Sequence, residues 1–307
     1  MAKVSVVITV LNEQDSIGKL LKPLVSQTKK PDEIILIDAG STDRTVEMIK
    51  NFQRTHKKIM LLVKPGANRS VGRNIGVERA HGSIIAITDA GCIPKKDWLE
   101  KLTDPFKDKS VDVVGGYYKP RGNSVFQKSL AVYTCVLDHQ LNPKTFLPAS
   151  RSLAFRKEIW KKVGGFPEHL STCEDRVFVE KLKKTKAKFT FAKEAIVYWK
   201  QKNTWQDAFI QLYTYAKGDT EALYLPHVKK ILLVWARYLL GILLLVTFPV
   251  LLLFILPQHL AWVIGKGYSY VKDKRALLTL PLLQLTADLA VMGGSLAGFF
   301  KRRGVLQ

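Results

Sequence analysis

Acidic residues almost vanish from the last quarter of this chain. Beyond Pro226 only Asp273 and Asp288 remain. That scarcity excludes an ordinary charged, soluble surface there. Two long apolar runs take its place, at residues 231–256 and 276–300. Each reaches the roughly 20 residues needed to cross a bilayer core. The first contains Arg237 near its start, where a long side chain can reach the headgroups. It also contains Pro249, which a membrane helix tolerates. The second carries Asp288 and the pair Gly293-Gly294, so it is the weaker span. The alternative for both is a buried helical hairpin of a soluble protein. Cysteine is scarce too: Cys92, Cys135 and Cys173 give no disulfide framework and suit a reducing compartment. Residues 11–16 hold no glycine, so no phosphate-cradling loop follows the first apolar segment. The opening Met-Ala-Lys runs directly into that segment, with no basic, apolar and cleavage regions in order. The long N-terminal region is therefore expected on the cytoplasmic side. Asn68-Arg69-Ser70 matches a glycosylation sequon, which in such a region is a chance occurrence.

What is abundant is positive charge, +22 net. Nucleic acid is one partner class for such a chain, but no RNA-recognition signature, zinc-finger spacing or heptad-linked basic region accompanies it. The excess instead flanks the apolar runs: Lys229-Lys230, then Lys272, Lys274 and Arg275, then Lys301-Arg302-Arg303. This pattern fits a surface held against anionic lipid, with no nucleic-acid partner. With two spans, the first and last basic groups lie on the cytoplasmic side and the middle group disagrees. A re-entrant hairpin, or a first run that only dips into the membrane, removes the conflict.

Up to Pro226 strand and helix signals alternate. Strands are expected at 4–10, 33–37, 59–63 and 84–88, with helices at 16–27, 43–52, 71–80 and 96–106. This is the rhythm of an α/β fold, a mostly parallel sheet with helices on both faces. A strand at 111–118 follows. After it the order is less regular: helices at 124–139, 157–163, 174–182 and 204–224, and short strands at 152–156, 188–192 and 195–199. Residues 258–275 mix Trp262, Tyr268 and Tyr270 with lysines, a headgroup-level composition.

Two of the strands run straight into an aspartate. Ile34-Ile35-Leu36-Ile37 ends in Asp38-Ala39-Gly40, and Ile84-Ile85-Ala86-Ile87-Thr88 ends in Asp89-Ala90-Gly91. The C-terminal edge of such a sheet is where ligands sit. Carboxylates there hydrogen-bond a sugar or base, or hold a hard cation against phosphate. The alternative is that each caps the following helix.

Residues 4–13 (Val-Ser-Val-Val-Ile-Thr-Val-Leu-Asn-Glu) and 37–45 (Ile-Asp-Ala-Gly-Ser-Thr-Asp-Arg-Thr) resemble the opening of family 2 glycosyltransferases. The common pattern there is an apolar strand into a Tyr-Asn-Glu-like turn, then Val-Asp-Asp-Gly-Ser-Thr-Asp-Gly-Thr. Gly72-Arg73-Asn74-Ile75-Gly76, Ala80-His81-Gly82, Thr88-Asp89-Ala90, Phe155-Arg156-Lys157-Glu158, Val163-Gly164-Gly165-Phe166 and Glu174-Asp175 continue the likeness in order. It covers roughly residues 3–220. Motifs in correct order are far more specific than any one alone. The resemblance implies a GT-A fold, a mixed nucleotide-diphospho-sugar transferase sheet, and transfer of sugar from a nucleotide donor with inversion. It divides the chain into a transferase domain at 1–226, with a donor half at 1–120 and an acceptor half at 121–226. A membrane region at 227–307 follows, with helices near 231–256 and 276–300.

By the same resemblance, Thr9, Asn12, Glu13 and Asp38 face the donor nucleoside. A carboxylate there can accept from a base N–H or a ribose hydroxyl. Arg73 lies where a helix begins, a position that favours phosphate; its alternative is a surface salt bridge. Asp89 matches the first position of an Asp-X-Asp element that holds a divalent cation, Mg or Mn, on the donor diphosphate. Here Gly91 stands at the third position and Cys92, a poor ligand for Mg, follows. Asp89 therefore holds the metal with waters or a ligand from elsewhere, or lysines and arginines neutralise the leaving group instead. Asp175 is the implied general base, with Glu174 beside it expected to raise its pKa. The alternative is that both acids complement a helix N-terminus. The expected partners are a nucleotide-sugar donor, a lipid-linked acceptor and the inner membrane, in cell-envelope glycan assembly. Two other classes stay open: a nucleotidyltransferase, and a non-catalytic membrane scaffold that retains the fold.

Overall fold

The first segment of the chain, Val4–Val10, alternates between two buried faces and is closed to solvent except at half-buried Thr9. Such a run belongs inside a sheet covered on both sides. It forms β1 of the computed structural model, which describes residues 2–143 and 145–305. α1 (Ile17–Val25), β2 (Glu33–Asp38), α2 (Thr45–Thr55), β3 (Ile59–Val63), α3 (Arg69–Arg79) and β4 (Ile84–Ile87) continue the expected alternation. Then come β5 (Cys92–Pro94), α4 (Trp98–Thr103), β6 (Val113–Arg121), α5 (Val125–Thr134), β7 (Leu153–Arg156), α6 (Lys157–Lys162), α7 (Glu174–Lys184), β8 (Phe189–Lys200) and α8 (Trp205–Glu221). Among the described residues eight strands form one sheet, in the order β3-β2-β1-β4-β7-β6-β8-β5.

β1 is parallel to β2 on one side and to β4 on the other, while β7 joins β4 antiparallel. The chain steps outward from β1 to β2 and β3, then returns to the far side of β1. That reversal makes the C-terminal ends of β1 and β4 a topological switch point, where open α/β sheets leave a crevice. Val10 pairs with Asp38, and Val7 with Ile87, so the residues after β1, β2 and β4 emerge at one edge. Below that edge, Val7, Ile35, Ile85, Phe155, Phe166 and Phe178 share one core.

Two of the expected boundaries are corrected. Residues 188–192 and 195–199 form a single strand, β8, because exposed Lys193 and Glu194 lie within the ladder rather than in a turn. The three-residue strand β5 was not expected; Cys92 to Pro94 pairs with Trp199 to Val197.

The chain separates into two units, Met1–Lys119 with Leu141–Lys200, and Pro120–Gln140 with Gln201–Gln307. This differs from the expected border at 226. The apolar faces of α5 and α8 pack among the C-terminal helices, so both belong to the second unit. That unit also differs in helix count. The expected run 231–256 is broken into α9 (Leu225–Thr247) and α10 (Pro249–Val271), followed by α11 (Ala276–Val305). Pro249 has no N–H to continue the helix, and Phe248 before it leaves helical geometry at φ −140°, ψ 62°. Most of the stretch 258–275, whose composition suits the headgroup level, is the second half of α10. All three helices are long and apolar enough to cross a membrane. The side chain of Arg303, in the last basic group, lies outside the described residues.

Candidate active site

The turn after β1 begins the site. Asn12 takes a left-handed conformation, φ 53°, a region that asparagine tolerates better than most residues. Its Oδ1 accepts from the Thr42 N–H at 2.9 Å, and its own N–H donates to Ser41 Oγ at 2.8 Å. The Glu13 N–H donates to Thr45 Oγ1 at 2.7 Å, and the Glu13 carboxylate accepts from Ser16 Oγ at the start of α1. These bonds tie the β1 turn to the β2 turn.

Asp38 stands at the end of β2, beneath the second turn. It is fully buried, and its oxygens accept from the Gly40 and Ser41 N–H groups, both at 2.9 Å, and from Ser41 Oγ at 2.5 Å. It shapes its own turn. Ala39 stands where the family pattern has its second aspartate.

Arg73 is the centre of the site. α3 lies close against β1: a Cβ at Gly72 would stand 2.7 Å from Thr9 Cγ2, and one at Gly76 2.4 Å from Val7 Cγ1. Only glycine allows that approach. It carries Arg73 inward, where the side chain is 2% exposed and lies over the Phe166 ring at 5.6 Å. Its guanidinium bonds Asp89 at 3.0 Å through Nη2 and Glu174 through Nη1. Burial works against the charge, but Glu174, Asp89 and Asp175 together hold the pKa above the ordinary arginine value. Arg73 is thus neither an open phosphate ligand nor a surface salt bridge. It joins the end of β4 to the start of α7.

Glu174 and Asp175 open α7, behind Cys173 in left-handed geometry at φ 63°. Buried Glu174 has its pKa raised by burial, against the pull of Arg73. Half-buried Asp175 behaves oppositely, and this corrects the expectation. Burial would raise its pKa, but Arg176, Arg73, the Ser150 N–H and Arg151 outweigh burial and hold it low. Asp175 accepts from the Ser150 N–H at 3.1 Å and the Arg176 N–H at 2.8 Å, which fixes the carboxylate.

Sequence reading missed Ser150, Arg151, Arg176 and Trp199. Arg151 precedes β7, and its guanidinium carbon lies 3.8 Å from the Trp199 ring centre and 5.0 Å from that of Tyr118. Trp199 pairs across the ladder with Cys92, three residues beyond Asp89. A chain of contacts therefore runs from Asp89 through Arg73, Glu174, Asp175, Ser150, Arg151 and Trp199 back to Cys92. The signal for Arg151 in the sequence is only a cation before an apolar strand. The Cys92 thiol is buried, which pushes its pKa up and keeps it a protonated, weakly nucleophilic core residue at neutral pH.

At the end of β4 the carboxylate open to a cation is Asp89, one-third exposed. Gly91 leaves open space: nothing lies within 4 Å of where its Cβ would stand. Among the described residues no three His, Cys, Asp or Glu side chains converge as a metal cage. A magnesium or manganese ion held by one carboxylate, donor phosphates and water fits this set.

The profile of glycosyl transferase family 2 matches residues 5–164, just over half of the chain. The chain belongs to that family. Glycosyltransferase AglE of Haloferax volcanii is 29% identical over 199 residues, 63% of this chain and 65% of its own length. O-antigen chain rhamnosyltransferase WbaN of Salmonella anatum is 26% identical over 187 residues, 56% of this chain and 57% of its own. The likeness thus spans less than two thirds of either relative. Among solved structures, a mannosyltransferase from Pyrobaculum calidifontis, in complex with GDP-Man and Mn2+, superposes with a TM-score of 0.66 at 19% identity. It covers 92% of this chain and 87% of that one, and the GT-A fold expected from the motifs is the fold found. Family membership removes the nucleotidyltransferase reading.

Proposed function

We propose that this family 2 member transfers a sugar from a nucleotide-diphosphate donor to an acceptor hydroxyl with inversion. The observation that carries the reading is the Asp89–Arg73–Glu174 bridge, which ties the switch-point crevice to the helix bearing Asp175. The donor nucleoside lies along the turns after β1 and β2, near Thr9, Asn12 and Glu13. Asp38 holds the second turn in shape from beneath. The donor diphosphate lies at Asp89 and Gly91. Asp89 is the residue that would hold a divalent cation, which would neutralise charge on the diphosphate.

Asp175 takes the proton of the acceptor hydroxyl as that oxygen bonds to the anomeric carbon. The bond from that carbon to the donor diphosphate breaks on the opposite face, and its electron pair leaves with the diphosphate. Arg176 and Arg73, with the Ser150 N–H, keep Asp175 ionised, and the Ser150 and Arg176 N–H groups aim it. Arg73, fully engaged by carboxylates, is a positioning residue. Half-buried Arg151, spread on Trp199, supplies a guanidinium fork to the leaving diphosphate.

The donor base is uridine or guanosine; the solved neighbour carries a guanosine donor. The acceptor is lipid-linked, in cell-envelope glycan assembly, since the apolar helices hold the chain at a bilayer and relatives include an O-antigen chain transferase. The transferase unit faces the cytoplasm of an inner-membrane protein, as the basic groups around the helices favour. Donor hydrolysis by the detergent-purified chain, with a panel of nucleotide sugars and with or without Mn2+, tests the reading. At least one nucleotide sugar should be hydrolysed slowly, and Asp175→Asn should bind it without turning it over. Equal turnover by that variant removes Asp175 from the role. No turnover of any donor favours the scaffold.

A further inference from the structure

By length and composition all three C-terminal helices could cross a bilayer, but their packing differs. In the most apolar stretch of α9 and of α10 only 6% and 11% of residues are buried, against 39% in α11. α11 runs side by side with α8. A Cβ at Gly294 would stand 2.2 Å from the Tyr213 carbonyl oxygen, one at Gly298 2.3 Å from that of Lys217, and Lys301 pairs with Glu221 at 2.6 Å. Earlier in α11, Leu283, Ala287 and Ala290 pack with Ala208 and Leu212 of α8, and Leu280 packs with Ala131 and Val132 of α5. The two helices therefore advance together, and wherever α11 goes, α8 goes too. α8 carries Asp207, Lys217, Asp219 and Glu221, so sinking the pair through a hydrocarbon core would strand four charged side chains there.

The second half of α10 packs through Val263, Gly267 and Val271 on α5 and on Leu280 of α11, but between Leu239 and Leu256 α9 and α10 have no such partner. Tyr238 of α9 and Leu256 and His259 of α10 line one recess of about 300 Å³ with Gln284 and Asp288 of α11. Residues 238 and 259 can meet there only if the chain turns back at Phe248. α11 meets this hairpin in its open half, where Asp288 is ion-paired with Arg237 at 2.5 Å and accepts hydrogen bonds from Tyr238 at 3.1 Å and Gln284 at 2.9 Å. Beyond that polar band the hairpin, residues 239–256, has no charged side chain, and Leu239, Leu243, Val246, Leu253 and Phe254 are exposed.

The geometry points to α9 and α10 as a membrane-inserted hairpin whose two ends face the same side as α11. α11 lies at headgroup level on α5 and α8 and does not cross; the exposed apolar side chains of the hairpin are covered by acyl chains. This deepens the membrane anchoring in the proposed function but stands apart from its chemistry. It also removes the conflict in the sequence: Lys229, Lys230, Lys272, Lys274, Arg275, Lys301 and Arg302 all meet one anionic surface.

Reporters in the full chain test it. Green fluorescent protein and alkaline phosphatase are fused in turn after the C-terminus and inserted between Lys272 and Asp273, in a bacterial host. Both positions should give fluorescence and no phosphatase activity, and the chain should resist alkaline carbonate extraction. A Leu243→Arg, Leu253→Arg double variant should then become extractable. Phosphatase activity at either position, or wild-type extraction by carbonate, overturns the proposal. Neither result changes the Asp175 experiment, so the two readings fail separately.

Discussion

Arg73 and Glu174 form a buried ion pair, with side chains 2% and 5% exposed, between α3 and the first turn of α7, the helix that carries Asp175. Asp89 holds the other arm of the same guanidinium. Removing the cation leaves Glu174 charged and buried without a partner. Breaking such a pair costs about 3–5 kcal/mol. Arg73→Gln should therefore lower the unfolding midpoint strongly. Arg73→Lys should recover part of the stability, because one ammonium cannot serve two carboxylates in the geometry of a planar fork. Chemical denaturation of the three chains checks both. An unchanged midpoint in Arg73→Gln would show the pair to be incidental.

As the proposed base, Asp175 should set the acid limit of activity. A base with a lowered pKa stays ionised as pH falls, so kcat should hold through the ordinary carboxylate range and drop only beneath it. The sign for stability is the same. A depressed carboxylate stabilises the fold above its unfolded pKa and loses that contribution as pH falls through the folded value. Glu174, with a raised pKa, works in reverse: its contribution falls as pH rises through the window above the usual carboxylate value. Arg176→Gln should shift the acid limb of the rate profile upward. A limb that stays put would mean Arg176 does not tune the base.

Gly91→Asp should be structurally silent, within about 0.5 kcal/mol, since its Cβ enters open space. It restores the second carboxylate of the Asp-X-Asp pattern. Activation by Mn2+ should then require less metal, and calorimetric titration of Mn2+ in the presence of a nucleoside diphosphate should tighten. The same affinity in both chains would place the cation away from Asp89.

Arg151→Gln should lower kcat by about 10²-fold, the scale for losing one preorganised donor to developing charge. Its stability should change little beyond the lost stacking on Trp199. Nucleoside diphosphate binding in a chelator, read by Trp fluorescence, should weaken in parallel. If kcat falls while diphosphate binding stays the same, Arg151 serves the acceptor or the packing of β7 rather than the leaving group.

The strands leading to the ligand edge were legible because their signal is local. Val4–Val10, Glu33–Asp38 and Ile84–Ile87 are short apolar runs bounded by turn residues, and the register that aligns them follows from burial on both faces. β5 was invisible because three residues ending in proline have no periodicity; the partner strand creates them. The motif order carried the family. It did not reveal that Asp38 faces its own turn, because a strand-end aspartate reads the same whether its oxygens meet a ligand or the next two N–H groups.

The sequence by itself determined the α/β order, the family, the carboxylates available to the site and the apolar tail. These rest on residue type and near-neighbour spacing, which a chain carries before it folds. Tertiary structure alone decided how the charges are shared. Arg73 meets Glu174 and Asp89, and Asp175 gathers Ser150 and Arg176. It also decided which apolar helix has a protein partner along its length, α11 against α8, and which leave apolar side chains exposed. The reason is common to both: pairing and burial depend on contacts between distant residues, and local composition does not specify them.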